Sequence, residues 1–95
     1  MRALRFHPKA KKEVDSLPPK HFKQVISKLF SLMDEPMQND TRQLKGFDDP
    51  MFRVSSGEYR IAYRFTDTEL FIEAIGARND DEVYRVLTRD RKSVV

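Results

Sequence analysis

Residues 52–84 read FRVSSGEYRIAYRFTDTELFIEAIGARNDDEVY, and this stretch decides the fold. Apolar and polar residues alternate along it, the period of a half-buried β-strand. Phe52 and Val54 point one way, Arg53 and Ser55 the other. Tyr59, Ile61, Tyr63 and Phe65 form the next apolar row, with Arg60, Ala62 and Arg64 opposite. Ser56-Gly57 predicts a tight turn between the first two strands, and Asp67-Thr68 a second. Closure at Ser56-Gly57 pairs Val54 with Tyr59, Phe52 with Ile61 and Arg53 with Arg60. In the next ladder Phe65 faces Leu70, Tyr63 faces Ile72 and Ile61 faces Ala74, so one face is continuously apolar. The other face gathers Arg53, Arg60, Arg64 and Glu73, with Phe71 and Ile75. Like charges directly opposed across a ladder cost about 0.2–1 kcal/mol. A fold gains nothing from such a pair, whereas a phosphate-rich ligand accounts for it.

Gly76 is expected to bend or end the last strand. Simple alternation turns Arg78 toward the core, so a bulge or turn is expected there to redirect it. Asn79, with Glu82 following, resembles a helix N-cap box, and Asp80 and Asp81 favour a helix start. A short C-terminal helix carrying Val83, Tyr84, Val86 and Leu87 follows, before a polar, basic tail.

Upstream, residues 2–6 (RALRF) alternate, with Leu4 and Phe6 on one face, and predict a short strand. Pro8 suits a first helical turn, where its missing N–H is no loss. Ala10, Val14 and Leu17 then mark a short amphipathic helix that Pro18-Pro19 ends. A second helix is expected from about Pro19 to Asp34. Its apolar stripe is Phe22, Val25, Ile26, Leu29 and Met33, and Pro36 prevents its continuation. Residues 35–50 show no period, and so long a loop in a small domain is often functional. The fold class is therefore α+β: an N-terminal strand, two helices on one face of an antiparallel meander, and a short C-terminal helix.

The 95-residue length allows a single domain over 1–95. There is no cysteine, and His7 and His21 lack metal-ligand spacing, so no metal or cofactor is expected. His7 reads as a helix-entry residue and His21 as exposed. No apolar run approaches the ~20 residues that span a bilayer. No secretory h-region is present, which points to the cytoplasm. The net charge of +3 and pI near 9.3 are compatible with a nucleic-acid partner.

Four pieces recur in one order: Leu17-Pro18 between the helices, Leu44-Lys45-Gly46, the hairpin Arg53-x3-Gly57-Glu58-Tyr59-Arg60-x2-Tyr63, and Arg78-x5-Tyr84. Together they resemble the RelE/ParE superfamily of toxins from toxin–antitoxin pairs. The RelE branch implies a metal-independent mRNA endonuclease acting in the ribosomal A site, with ribosomal RNA, mRNA and a cognate antitoxin as partners. Tyr84 after Arg78 favours that branch. The resemblance implies Arg60, Arg78 and Tyr84 as catalytic residues and Lys45 and Arg53 as phosphate-binding ones. Ser55 departs from the pattern, because RelE-type members often carry a second basic residue there. The proton acceptor is thereby left unassigned.

Three alternatives stand beside this reading. Arg53 and Arg60 pair with acids such as Glu73 or Glu58, and Tyr84 packs its ring on the sheet. The chain is a ParE-like gyrase inhibitor that cuts no RNA. Or it is a degenerate toxin that only binds antitoxin.

Overall fold

Among the described residues seven elements follow one another in chain order: β1 (Ala3–Phe6), α1 (Pro8–Asp15), α2 (Pro19–Asp34), β2 (Arg42–Leu44), β3 (Met51–Ser56), β4 (Tyr59–Phe65) and β5 (Glu69–Ala77). This is a computed structural model, and it describes residues 1–78 and Leu87. The strands form one sheet in the order β1-β5-β4-β3-β2. β2 to β5 make the antiparallel meander, while β1 lies parallel to β5. The architecture is α+β, as the two periodicities predict. The expected C-terminal helix with Tyr84 lies outside the described residues, Leu87 apart.

Pro8 opens α1, and His7 caps it by accepting the Lys9 N–H on Nδ1 at 3.2 Å. Ala10 and Val14 are its buried residues. In α2 the buried line is Val25, Leu29, Leu32 and Met33. The stripe is rotated from the expected one: Phe22 is 38% exposed, and His21 takes the inward place one turn before Val25. The His21 ring lies edge-on to Tyr59 at 5.2 Å, so this histidine is half-buried rather than exposed.

These helices cover one face of the sheet. Leu4 opposite Leu70 and Phe6 opposite Ile72 extend that face onto β1. Val54, Ile61, Tyr63, Ile72 and Ile75 fill its centre.

Two register details differ from the sequence expectation. The β3–β4 hairpin closes one residue later, at Gly57-Glu58, so Ser56 pairs with Tyr59 and Val54 with Ile61. Arg53 then faces Ala62 and Arg60 faces Ser55; the Arg53–Arg60 opposition does not occur. The reason is backbone geometry. Gly57 has φ +59°, fitting the first central position of a primed two-residue turn, which matches the twist of the flanking strands. Closure at Ser56-Gly57 would move that first central position onto Ser56, where a Cβ disfavours positive φ.

The second difference is a β-bulge at Glu73. Ala62 faces Ala74 and Tyr63 faces Ile72, leaving Glu73 as the extra residue. Ile61 consequently faces Ile75 rather than Ala74. Ile75 joins the helix-side core, and Ala74 turns to the far face. The bulge expected beside Arg78 thus lies five residues earlier. Gly76 neither bends nor ends the strand, which runs on to Ala77.

The segment 35–50 is not structureless. Arg42–Leu44 adds an edge strand on β3. A buried network pins it there. The Tyr63 hydroxyl donates to the Pro36 carbonyl at 2.5 Å and lies 2.9 Å from Thr41 Oγ1, which accepts the Gln38 N–H at 2.9 Å. Aperiodic sequence hides this strand, because its anchor is a tyrosine on β4.

Two predictions follow from these contacts. Gly57→Ala brings strained φ, worth about 1–2 kcal/mol, and a Cβ clash with the Gln24 side chain. Urea denaturation should show that adding Gln24→Ala recovers only the clash; complete recovery would contradict the left-handed turn. For Tyr63, burial pushes the hydroxyl above its ordinary value of 10.0; the Thr41 hydrogen bond opposes that shift and Asp40 adds to it. A raised folded-state value gives stability that is complete below pH 10 and is lost as pH rises beyond it. Tyr63→Phe should cost about 1–3 kcal/mol at neutral pH and abolish this alkaline component in pH-dependent melts.

Candidate functional site

The sheet face turned away from the helices is divided. One part is apolar: Met51, Ala62 and Ala74 are closed over by Leu87, with Leu44 and Phe47 alongside. The other part is cationic. Arg53 projects from β3 opposite Ala62, and Arg60 from β4 between Ser55 and Gly76. The Arg78 N–H donates to the Glu58 carbonyl at 2.9 Å, extending the β4–β5 ladder by one step. Arg78 itself follows the end of β5 at Ala77 and is exposed. Arg53 and Arg60 are therefore diagonal neighbours on β3 and β4, and Arg78 lies directly after β5. Diagonal neighbours have Cβ atoms about 7–8 Å apart or somewhat less, within reach of long side chains.

The electrostatic surroundings of Arg64 differ from those of Arg53. Arg64 lies 3.1 Å from Glu73, stacks over Phe71 at 5.0 Å from the ring centroid, and approaches Asp49 at 3.9 Å. It is a structural side chain that holds the bulge residue. Glu73 is thereby occupied, and Arg53 has no ion pair among the described residues. Glu58, the other acid weighed as a partner, stands 3.6 Å from His21.

The remaining predicted site residues lie apart or beyond view. Lys45 is exposed in the turn after β2, past the Leu44–Met51 pair. At ~3.3 Å per residue it is roughly 10 Å along the sheet from Arg53's row and roughly 16 Å from Arg60's. Tyr84 lies outside the described residues. Ser55 is half-buried, and its N–H donates to Asp40 Oδ2 at 3.4 Å. One cation was missed in the sequence: Arg42 of β2 lies directly opposite Arg53, on the same face. Its strand carries no periodic signal, so only the pairing reveals it.

Open hollows border α2 instead, one of about 480 Å³ lined by Lys23, Gln24, Ser27, Lys28, Ser56 and Gly57. Arg53 and Arg60 are half-buried on the far face of the sheet, and Arg78 is exposed. Guanidinium groups present planar forks of donors and stay charged, which suits repeated phosphates.

The profile of the ParE toxin of the type II toxin–antitoxin system parDE matches residues 4–82. The chain belongs to this family, within the RelE/ParE superfamily, and is a type II toxin. No curated protein matches it at the level of sequence. Among solved structures it is similar to a chain of the archaeal RelE–RelB complex from Pyrococcus horikoshii. That match has 25% identity and a TM-score of 0.71, over 83% of this chain and 97% of the other. A chain of the RelBE2 toxin–antitoxin complex of Mycobacterium tuberculosis matches at 28% identity and TM-score 0.69, over 81% and 98%. The isolated RelE toxin of E. coli shares the fold over the whole of both chains, at 23% identity and TM-score 0.71.

The Arg64–Glu73 contact is testable without activity. A double-mutant cycle with Arg64→Ala and Glu73→Ala should give a coupling of about 0.5–1 kcal/mol in chemical denaturation. Zero coupling would mean that the two side chains act independently at the bulge.

Proposed function

We propose that this toxin is a ribosome-dependent mRNA endonuclease that works without metal. The diagonal pair Arg53 and Arg60 on the far sheet face, with Arg78 directly after β5, is the observation that carries this reading. In the reaction the 2′-oxygen of one nucleotide attacks its own 3′-phosphorus. The O2′–P bond forms, the P–O5′ bond breaks, and the products are a 2′,3′-cyclic phosphate and a 5′-hydroxyl. The 2′-hydroxyl proton must leave, the extra phosphorane charge must be neutralised, and the departing oxygen must gain a proton.

Arg60, held between its neighbours on a central strand, takes the second task. Charge-assisted hydrogen bonds from a fixed fork are strongest where negative charge develops. Arg78, directly after β5, acts toward the leaving oxygen as a stabiliser or acid in this reading. An arginine holds its proton tightly and is a poor acid on its own, so the ribosome must orient the substrate. Tyr84 stacks on a base or orients the 2′-hydroxyl. Arg53 and, further along the sheet, Lys45 hold flanking phosphates. Ser55 offers no base, so the proton acceptor comes from the RNA or ribosome side.

A cognate antitoxin neutralises the toxin in this reading, as the RelE–RelB and RelBE2 complexes of the relatives suggest. Phe22, Phe30 and Met37 are 38%, 55% and 57% exposed and give such a partner apolar surface to cover. Among the described residues no helix is long and apolar enough to cross a membrane. The cytoplasm, where translating ribosomes lie, is the expected location.

The family's ParE name supports a second reading, in which the arginines grip a protein such as gyrase. One experiment separates the two. Purified toxin added to a translation reaction should yield cuts inside translated mRNA by primer extension. Arg60→Ala should reduce cutting by about 10²–10³-fold, the loss typical of one transition-state donor. Intact mRNA, with gyrase supercoiling inhibited in a parallel assay, would replace the nuclease reading with the second.

A further inference from the structure

The edge strand β2 places Arg42 directly opposite Arg53, on the face away from the helices. Two guanidinium groups in opposed positions repel. The next residue but one, Leu44, meets Met51 in the ordinary apolar way. Arg42 is nevertheless well held. Its Nη1 donates to the Asn39 carbonyl at 3.3 Å and to the Thr41 carbonyl at 3.0 Å. Thr41 itself is only 9% exposed and is tied to the Tyr63 hydroxyl. These contacts use one nitrogen of the guanidinium; Nε and Nη2 have no acceptor among the described residues. Neither Arg42 nor Arg53 has an ion pair among the described residues.

From this cross-strand opposition we infer that Arg42 and Arg53 form a two-guanidinium clamp for one phosphodiester of bound RNA. A phosphate between the two forks converts their repulsion into two charge-assisted contacts. The clamp sits one diagonal step from Arg60, so it holds a phosphate next to the one being cut. It deepens the proposed function and rests on that reading's claim that RNA lies along this face. Arg42 is a binding residue here, and its role is to set the register of the strand.

The test uses the full-length protein and a fluorescent oligouridylate of about ten nucleotides, a length within reach of one small domain. Affinity is measured by anisotropy across a salt series for wild type, Arg42→Gln, Arg53→Gln and Lys12→Gln. Lys12 lies on α1, away from the sheet's far face, and controls for the loss of one charge. Arg42→Gln should lower the slope of log affinity against log salt by about 0.7, the loss of one single-strand phosphate contact. Lys12→Gln should leave that slope unchanged.

Thermal melting supplies the readout that separates binding from structure. Arg42→Gln should melt no lower than wild type, and Arg42→Glu, which pairs with Arg53, should melt higher while binding RNA more weakly. An unchanged salt slope for Arg42→Gln, with a lower melting temperature, would overturn the clamp and leave Arg42 a turn clasp. If Arg53→Gln weakens binding and Arg42→Gln does not, the clamp fails alone. If the wild type does not bind the oligomer even at low salt, the clamp and the RNA reading fall together. If the slope change appears while mRNA stays uncut in translation, the clamp stands and the cleavage reading falls.

Discussion

One extra residue in β5 organises both faces of the sheet. Strand side chains alternate strictly, so an insertion reverses the facing of everything beyond it. Glu73 is that insertion. Before it, Leu70 and Ile72 point to the helices; after it, Ile75 does, and Ala74 and Gly76 point away. Without the bulge Ile75 would leave the core. The bulge is itself held by Arg64, whose guanidinium bonds Glu73 and stacks on Phe71. Arg64 thus serves the fold, and its engagement with Glu73 keeps that acid away from Arg53.

The second constraint is the buried Tyr63 hydroxyl. Tyr63 is fully buried among apolar side chains, so its O–H needs partners inside the protein. It finds them in Pro36 and Thr41, both outside the regular helices and strands. That demand brings the 36–41 segment against the sheet and delivers the following residues to the edge of β3. A short edge strand here also limits unwanted pairing with another chain. The same tether determines which cation stands beside Arg53.

Function and stability pull in different directions on the far face. Its apolar part, closed by Leu87, behaves as a small second core. Its cationic part gathers like charges that a fold alone would spread out. Such concentrations persist where a ligand offsets the repulsion, and a polyanion does so along its whole length.

The sequence by itself determined the elements whose signals are local. Period-two alternation announced β3, β4 and β5, the spacing of Val25, Leu29 and Met33 announced α2, and Pro8 and Pro36 marked helix limits. It also named Arg53, Arg60 and Arg78, because an ordered set of short motifs carries the family resemblance. Tertiary structure alone decided which residues meet. Whether Gly57 is the first or second residue of its turn changes every pairing of the hairpin, and the left-handed backbone at Gly57 selects the first. Whether Ile75 is inside depends on a bulge that alternation cannot reveal. Arg42 reaches the site only because a distant tyrosine must satisfy its hydroxyl. Periodicity reports how each segment divides its own faces; register and anchoring are set by partners far away in the chain.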